Sequence, residues 1–139
     1  LDRPEDLPAD RPRLLTWVAR SDDIGREAAA STEDLGEILS MERGDYRWRI
    51  TVPPDGHLPG GGLVPTLIQW DVPLHPASRL PDAGCRLMKL EGFHPQPARI
   101  RGVLSALGLA SRLDVHPGTD DAPQLVAYVR TPGGLVELD

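Results

Sequence analysis

Two arginines in the first half of the chain have the type and spacing to bind an anion. Arg47 and Arg49 alternate with large apolar residues in the segment YRWRI, residues 46–50. Because side chains along a strand point to opposite faces with a period of two, both guanidinium groups should project from one sheet face, opposite the aromatic rings. Such a pair can clamp a carboxylate or a phosphate if that face lines a cleft. If the face is open to water, the arginines form a solvated stripe instead.

Four other side chains complete the set of candidate site residues. Gln69 and Trp70 lie on the strand predicted to follow this segment, and we expect both to contact a bound ligand. His75 lies in a long proline-rich loop that could fold over a cleft, as long functional loops do. Glu137, close to the end of the chain, is the candidate general base and the one candidate catalytic residue. No two of the four histidines have the spacing of a zinc motif.

The composition restricts the partners that the protein can have. Its 139 residues carry a formal net charge of -6, whereas binding to a phosphate backbone needs a clustered excess of Lys and Arg. No run approaches the roughly 20 apolar residues that a membrane-spanning helix needs, and the N-terminus lacks the pattern of a signal peptide. We therefore expect a cytoplasmic protein that binds a small molecule and contacts neither nucleic acid nor membrane.

The cysteine content and the start of the sequence add two expectations. Cys85 is the single cysteine, so no internal disulfide can form, and its place in an apolar strand predicts a core residue. Residues 1–12 are rich in proline and acidic residues, which is typical of a linker. Because the sequence opens on Leu1 rather than Met, we expect the natural protein to begin earlier.

The first half of the chain predicts one strand, one helix and three further strands. β-branched, aromatic and aliphatic residues favour strands, whereas the run Ser21-Asp22-Asp23 offers helix caps and acidic first-turn residues. The turn signal Arg43-Gly44-Asp45 predicts a hairpin. The resulting elements are a strand over 14–20, a helix over 23–30, and strands over 37–42, 46–52 and 63–71.

The second half repeats this order. Ile100, Val103, Leu104 and Leu107 recur at three- and four-residue spacing, which predicts a helix with one apolar stripe that ends at Gly108. His94 precedes this helix, where a polar residue at the helix entry is expected. The strands are predicted over 85–93, 112–116, 124–130 and 135–139.

These two halves predict an α+β fold built by internal duplication. We expect two βαβββ modules, residues 13–71 and 85–139, joined by a connector over 72–84 and forming one domain over 13–139. Each module alone would leave one apolar sheet face exposed, so the two should cover each other. The predicted result is a curved, eight-stranded, barrel-like sheet with the helices outside and a cleft between the modules.

Four segments resemble a known family. They are GGGLVPTLIQWD at 60–71, HPA at 75–77, HPQPARIRGVLSALGL at 94–109 and TPGGLVELD at 131–139. Together they are similar to the bacterial glyoxalase-like domain of the vicinal oxygen chelate superfamily. The resemblance implies a cleft that in the superfamily's enzymes holds a divalent metal, on side chains from the first and last strand of each module.

Transferred to this chain, the implied ligand positions are Thr16, Gln69, Met88 and Glu137. A hydroxyl, an amide, a thioether and one carboxylate are a poor set, because hard cations want several anionic oxygens and zinc or iron wants imidazole, carboxylate or thiolate. We therefore expect neither a metal nor another cofactor at this place, with a divalent metal as the alternative.

Three functions agree with this sequence, and it does not decide whether the protein is an enzyme. The first is a metal-free domain that binds a small organic molecule in the cleft. The second is a metal-dependent lyase, isomerase or dioxygenase of the superfamily, which would use Glu137. The third is a non-catalytic assembly module that forms a homodimer through its sheets. One scaffold can host many chemistries, so the fold alone does not choose among them.

Overall fold

The computed structural model describes residues 13–72, 83–119 and 122–139. His75, the predicted linker over 1–12 and most of the predicted connector lie outside the described residues. No helix in the described part of the chain is long and apolar enough to span a membrane.

The first half forms a four-stranded sheet, here called sheet A, with one short helix. Strand β1 lies parallel to β4, whereas β4 with β3 and β3 with β2 pair antiparallel, giving the order β1-β4-β3-β2. Helix α1 begins after Asp23, whose carboxylate accepts a hydrogen bond from the backbone N–H of Arg26. The elements are β1 (Val18–Arg20), α1 (Ile24–Ala30), β2 (Glu37–Arg43), β3 (Tyr46–Val52) and β4 (Thr66–Trp70).

The second half forms sheet B, also with four strands and one helix. Its order is β6-β5-β7-β8, in which β5 lies parallel to β6 and the other neighbours pair antiparallel. Helix α2 buries Ile100, Val103 and Leu104, the apolar stripe predicted from the sequence. The elements are β5 (Arg86–His94), α2 (Pro97–Ala106), β6 (Asp114–Pro117), β7 (Gln124–Thr131) and β8 (Gly134–Leu138).

The predicted α+β class and the order of elements in both halves are confirmed, but the strands do not close into a barrel. They form two separate sheets that share one hydrophobic core, to which α2 and the loop that carries Leu63 and Val64 contribute. The strand orders of the two halves also differ. Helix α2 packs on β5 and β6 and makes them neighbours, whereas α1 packs on β3 and β4 and leaves β2 at the far edge.

One hydrophobic core joins the halves. It combines Ile24 and Leu67 of the first half with Ile100, Leu104 and Leu125 of the second. The face of each sheet that lies against this core is here called its packed face. The prediction of a buried Cys85 is wrong, because this residue is exposed just before β5 begins.

Candidate functional site

A cleft of about 690 Å³ lies between the two sheets. One wall is β1 with the residues that precede it, and the other is formed by β5 and β7. A volume of this size is typical of sites for small organic molecules. The cleft is therefore built from both halves of the chain, as the sequence predicted.

A β-bulge in β5 shapes the apolar wall of the cleft. Leu87 pairs with Val129 and Lys89 with Tyr128, so Met88 is the additional residue on its strand. A bulge of this kind turns side chains away from the regular alternation. Leu87 and Met88 both line the cleft, and they are 59% and 50% exposed. Two large apolar side chains are thus open to solvent at the cleft.

Trp17 supports the opposite wall. Its indole Nε1 donates a hydrogen bond to the backbone oxygen of Leu63 at 2.8 Å, and its ring packs against the core. The backbone oxygen of Trp17 accepts from the N–H of Thr66 at 3.0 Å. The ring is therefore held at the cleft, where its fluorescence can respond to a bound molecule.

The rim of the cleft carries an excess of positive charge. Arg20, Lys89, Arg112 and Asp114 line it. Lys89 lies 3.7 Å from the Asp114 carboxylate and 3.3 Å from the Glu91 carboxylate, so these two carboxylates share the charge of one lysine. Arg20 and Arg112 form no ion pair with any residue in the described ranges. Two cations of the rim are left for a ligand.

The two predicted arginines lie elsewhere, on the packed face of sheet A. Arg49 donates two hydrogen bonds of 3.0 Å to Asp71, and these bonds and the charge of Asp71 raise the pKa of Arg49. Arg47 shares this face, and it is exposed. The alternation read from the sequence is confirmed, but the structure does not bring these arginines to the cleft.

Gln69 also belongs to this face, and its amide holds helix α1. Its Oε1 accepts a hydrogen bond from the backbone N–H of Ile24 at 2.8 Å, and its Nε2 donates to the backbone oxygen of Asp22 at 3.1 Å. Both ends of the amide are thereby used, one by the first residue of the helix and the other by the residue that precedes its cap. In this arrangement the two hydrogen bonds of Gln69 are structural, because they attach helix α1 to sheet A.

Trp70 points to the opposite face of sheet A, here called the open face. Its ring lies 5.3 Å from that of Trp48 and 6.4 Å from that of Tyr46. Met41 of β2 is cross-strand neighbour to Trp48 and is 43% exposed. The middle of the open face is therefore aromatic and apolar, with Glu37 and Arg43 at the two ends of β2, and it is partly accessible to solvent.

A polar cluster on the outer face of sheet B was not predicted. Glu91 accepts a hydrogen bond of 2.7 Å from the Tyr128 hydroxyl and lies 3.0 Å from Nε2 of His116. The hydrogen bond from Tyr128 lowers the pKa of Glu91, and His116 and Lys89 act in the same direction. Glu137 lies across from Tyr128 on β8 and is exposed. Cross-strand contacts of this kind need the register, which the sequence alone does not supply.

The four side chains that the resemblance equates with metal ligands do not converge. Thr16 and Met88 line the cleft, Gln69 is bonded to helix α1, and Glu137 projects from the outer face of sheet B. Within the described ranges, no three His, Cys, Asp or Glu side chains gather closely enough to hold a metal ion. The residues do not fit the implied metal, and the absence of a cofactor stays a prediction.

Comparison with protein families gives a match. Residues 3–108 match a family model described as a glyoxalase-like domain. The match includes the segments at 60–71 and 75–77 and nearly all of the segment at 94–109, and it ends before the segment at 131–139. No curated protein matches the chain.

Proposed function

Since the chain belongs to the glyoxalase-like domain family, we propose that it binds a small organic molecule, without a metal, in the cleft between its two sheets. The observation that carries this proposal is the cleft itself, about 690 Å³ in volume and lined by residues of both halves. Its apolar walls and few charged groups match the usual composition of sites for organic ligands.

The ligand-facing residues in this proposal differ from those predicted from the sequence. Leu87, Met88 and Trp17 supply apolar surface, while Arg20 and Arg112 supply charge. Arg49 and Gln69 act at a distance from the cleft, through their contacts with Asp71 and helix α1. A catalytic role for Glu137 would need a ligand on the outer face of sheet B, where the carboxylate lies in the open.

A thermal-shift panel of α-keto acids, thiol conjugates and catechols tests this function. Met88→Trp places a bulky ring in the cleft, and Met41→Trp is the matched control on the open face of sheet A. We expect at least one compound to raise the melting temperature of the wild type and of the Met41 variant but not of the Met88 variant. Equal shifts in all three proteins, or none, would contradict the proposal. Elemental analysis of the purified protein adds a direct check, since stoichiometric metal favours the enzyme alternative.

The open face of sheet A favours a second candidate function, assembly into a homodimer. Met41 is 43% exposed and Leu39 37%, and both lie on the face that carries Trp48 and Trp70. An apolar sheet face of this kind is typical of surfaces that a second sheet covers.

Light scattering after size-exclusion chromatography tests assembly. Met41→Glu places a charge in the open face, whereas Leu135→Glu alters an apolar residue of β8 that is 67% exposed. A dimer that Met41→Glu dissociates and Leu135→Glu leaves intact supports this function. A wild-type monomer over the whole accessible concentration range would refute it.

A further inference from the structure

The charges at the cleft contrast with those of the whole protein. The chain carries a formal net charge of -6, yet the cleft is lined by three cations, Arg20, Lys89 and Arg112, and one carboxylate, Asp114. Lys89 is engaged by Asp114 and Glu91. The surplus of the rim therefore rests on the two arginines.

Arg112 is held in place by the backbone around it. Its N–H donates a hydrogen bond of 2.9 Å to the backbone oxygen of Leu109, and the next residue, Leu113, is only 3% exposed. Leu109 also lines the cleft. The backbone thus holds the Cβ end of the Arg112 side chain beside an apolar surface. The guanidinium group at the other end is exposed.

Arg20 is positioned from the other wall. It pairs with Ile68 in the parallel ladder of β1 and β4, and the N–H of the following Ser21 donates to the backbone oxygen of Ile68 at 2.8 Å. Arg20 and Arg112 therefore approach the cleft from different halves of the chain. A guanidinium group binds a carboxylate through two parallel hydrogen bonds, which gives orientation as well as affinity.

Apolar surface occupies the space next to these cations. Leu90 and Ala127 pair across β5 and β7 and line the cleft together with Leu87 and Met88. An uncharged ligand would leave the arginines without a partner, and a small inorganic anion would leave the apolar wall uncovered. One molecule that satisfies both must carry an acidic group on an apolar body.

We propose that the ligand of the cleft is an organic carboxylate with an apolar ring or chain, whose acidic group Arg112 binds with the help of Arg20. This inference rests on the proposed function and narrows it to one class of ligand. The acidic group lies at the rim, and the apolar body lies against Leu87, Met88 and Leu90.

Isothermal titration of the full chain with three matched naphthalene compounds tests this inference. They are 2-naphthoate, the uncharged 2-naphthamide and the cationic 2-naphthylmethylammonium, measured at neutral pH and low ionic strength. We expect the carboxylate to bind about tenfold more tightly than the amide, as charge-assisted hydrogen bonds are stronger than neutral ones, and the ammonium compound to bind most weakly. In the variant Arg112→Gln, the preference for the carboxylate should fall to about twofold or less while the amide binds as before. Arg47→Gln removes an exposed arginine outside the cleft and should change nothing.

The outcomes separate this inference from the function on which it depends. If Met88→Trp abolishes binding but the three compounds bind equally well, the cleft is a ligand site and the anion preference is wrong. If Arg112→Gln and Arg47→Gln weaken the carboxylate equally, the attraction is not local, and the role of Arg112 is refuted. If none of the compounds binds, the inference falls, and the thermal-shift panel then decides the function. Arg20→Gln adds an independent variant, for which we expect a smaller loss of the same preference.

Discussion

Gln69 shows at the scale of a single residue how the fold can occupy a side chain that looks available for a ligand. Its amide has one acceptor and one donor group, and both are used: Ile24, the first residue of helix α1, donates to the acceptor, and Asp22, just before the helix, accepts from the donor. The first backbone N–H groups of a helix have no partner within the helix, so an acceptor supplied from a neighbouring strand stabilises its start. A polar residue on a strand can therefore serve the backbone of another element.

Replacing Gln69 should reduce stability rather than ligand binding. Gln69→Leu removes both hydrogen bonds and leaves the N–H of Ile24 without its acceptor, which should lower the free energy of unfolding by about 1–3 kcal/mol. Gln69→Glu keeps an acceptor near the positive end of the helix and should cost less. Urea denaturation followed by circular dichroism measures both. A Leu variant as stable as the wild type would show that the bridge contributes nothing.

His94 has a similar structural role that depends on pH. It is 6% exposed, and its Nδ1 accepts a hydrogen bond of 2.9 Å from the backbone N–H of Gln96 at the start of α2. Burial, assisted by the positive charge of Arg99, lowers the pKa of His94. Because the folded pKa lies below the ordinary value of about 6.5, the neutral ring stabilises the fold above that pH, and this stabilisation is lost as the pH falls through the folded pKa.

Acidification should therefore destabilise the wild type more than the variant His94→Asn. Asparagine can still accept the hydrogen bond from Gln96, but it does not titrate. Between about pH 7.5 and about pH 5.5, the melting temperature of the wild type should fall further than that of the variant. Carboxylates affect both proteins alike, so the difference isolates His94. Parallel curves would mean that folding leaves the pKa of His94 unchanged, and would contradict this role.

The sequence predicted His94 as a helix-entry residue, and the structure confirms that position. It did not predict where Arg49 and Gln69 would be used, because their partners Asp71 and Ile24 become neighbours only when the strands and helix are assembled. Arg112 was predicted as the first residue of a strand, but it lies in the turn before β6, which begins at Asp114. Long-range proximity, and not residue type, decides which arginine reaches the cleft.

At the scale of elements, a glycine-rich loop brings the two halves into contact. Gly60, Gly61 and Gly62 are consecutive residues with positive φ, at 59°, 68° and 107°. A side chain on Gly61 would overlap Pro123 of the second half, and one on Gly62 would overlap the backbone oxygen of Leu15. Both conformation and space therefore require glycine.

Two glycine substitutions should have opposite effects. Gly62→Ala adds a methyl group where the Leu15 oxygen leaves no room and where φ is 107°, so it should cost about 2–4 kcal/mol of stability. Gly102→Ala lies inside helix α2 with no atom within 4 Å of the added carbon, and it should stabilise the protein by about 0.5–1 kcal/mol. Urea denaturation compares the two. A tolerated Gly62→Ala would show that the loop can move away from Leu15.

The helices and the hairpin of β2 and β3 were predicted well because their signals are local. Periodicity defines α2, and the turn residues around Gly44 define the hairpin. The strand predicted over 63–71 is shorter in the structure, Thr66–Trp70, because Leu63 and Val64 are buried in the loop that precedes it. In the sequence, the apolar residues of a packed loop look the same as the apolar residues at the end of a strand.

At the scale of the whole molecule, the shared core makes the halves depend on each other. Ile24 and Leu67 pack in the same cluster as Ile100 and Leu125, so neither half buries its apolar residues alone. The sequence predicted this dependence from the exposed sheet face of each module. It did not predict the two strand orders, because both halves have the same succession of elements, and pairing follows from where each helix packs.

Unfolding should consequently be one cooperative transition. Trp17, Trp48 and Trp70 report on the first half, and a fluorophore on Cys85, the single and exposed cysteine, reports on the second. In urea, the two signals should have the same midpoint, as expected for a small two-state domain. Midpoints that differ would indicate two independently folding units. The tryptophan curve of the unlabelled protein controls for effects of the fluorophore.

The difference between the two strand orders bears on how the chain assembles during synthesis. Strand β5 meets β6 directly after helix α2, whereas β1 pairs only with β4, after every other element of its half has been made. Closing a longer loop costs more entropy, and distant pairings slow folding. Val18 leaves the ribosome before Thr66, its partner, and has no ladder to join in the meantime. The strand that forms one wall of the cleft is made before the other strands of its sheet and docks after them, and in that interval the nascent chain is open to misassembly or to a chaperone.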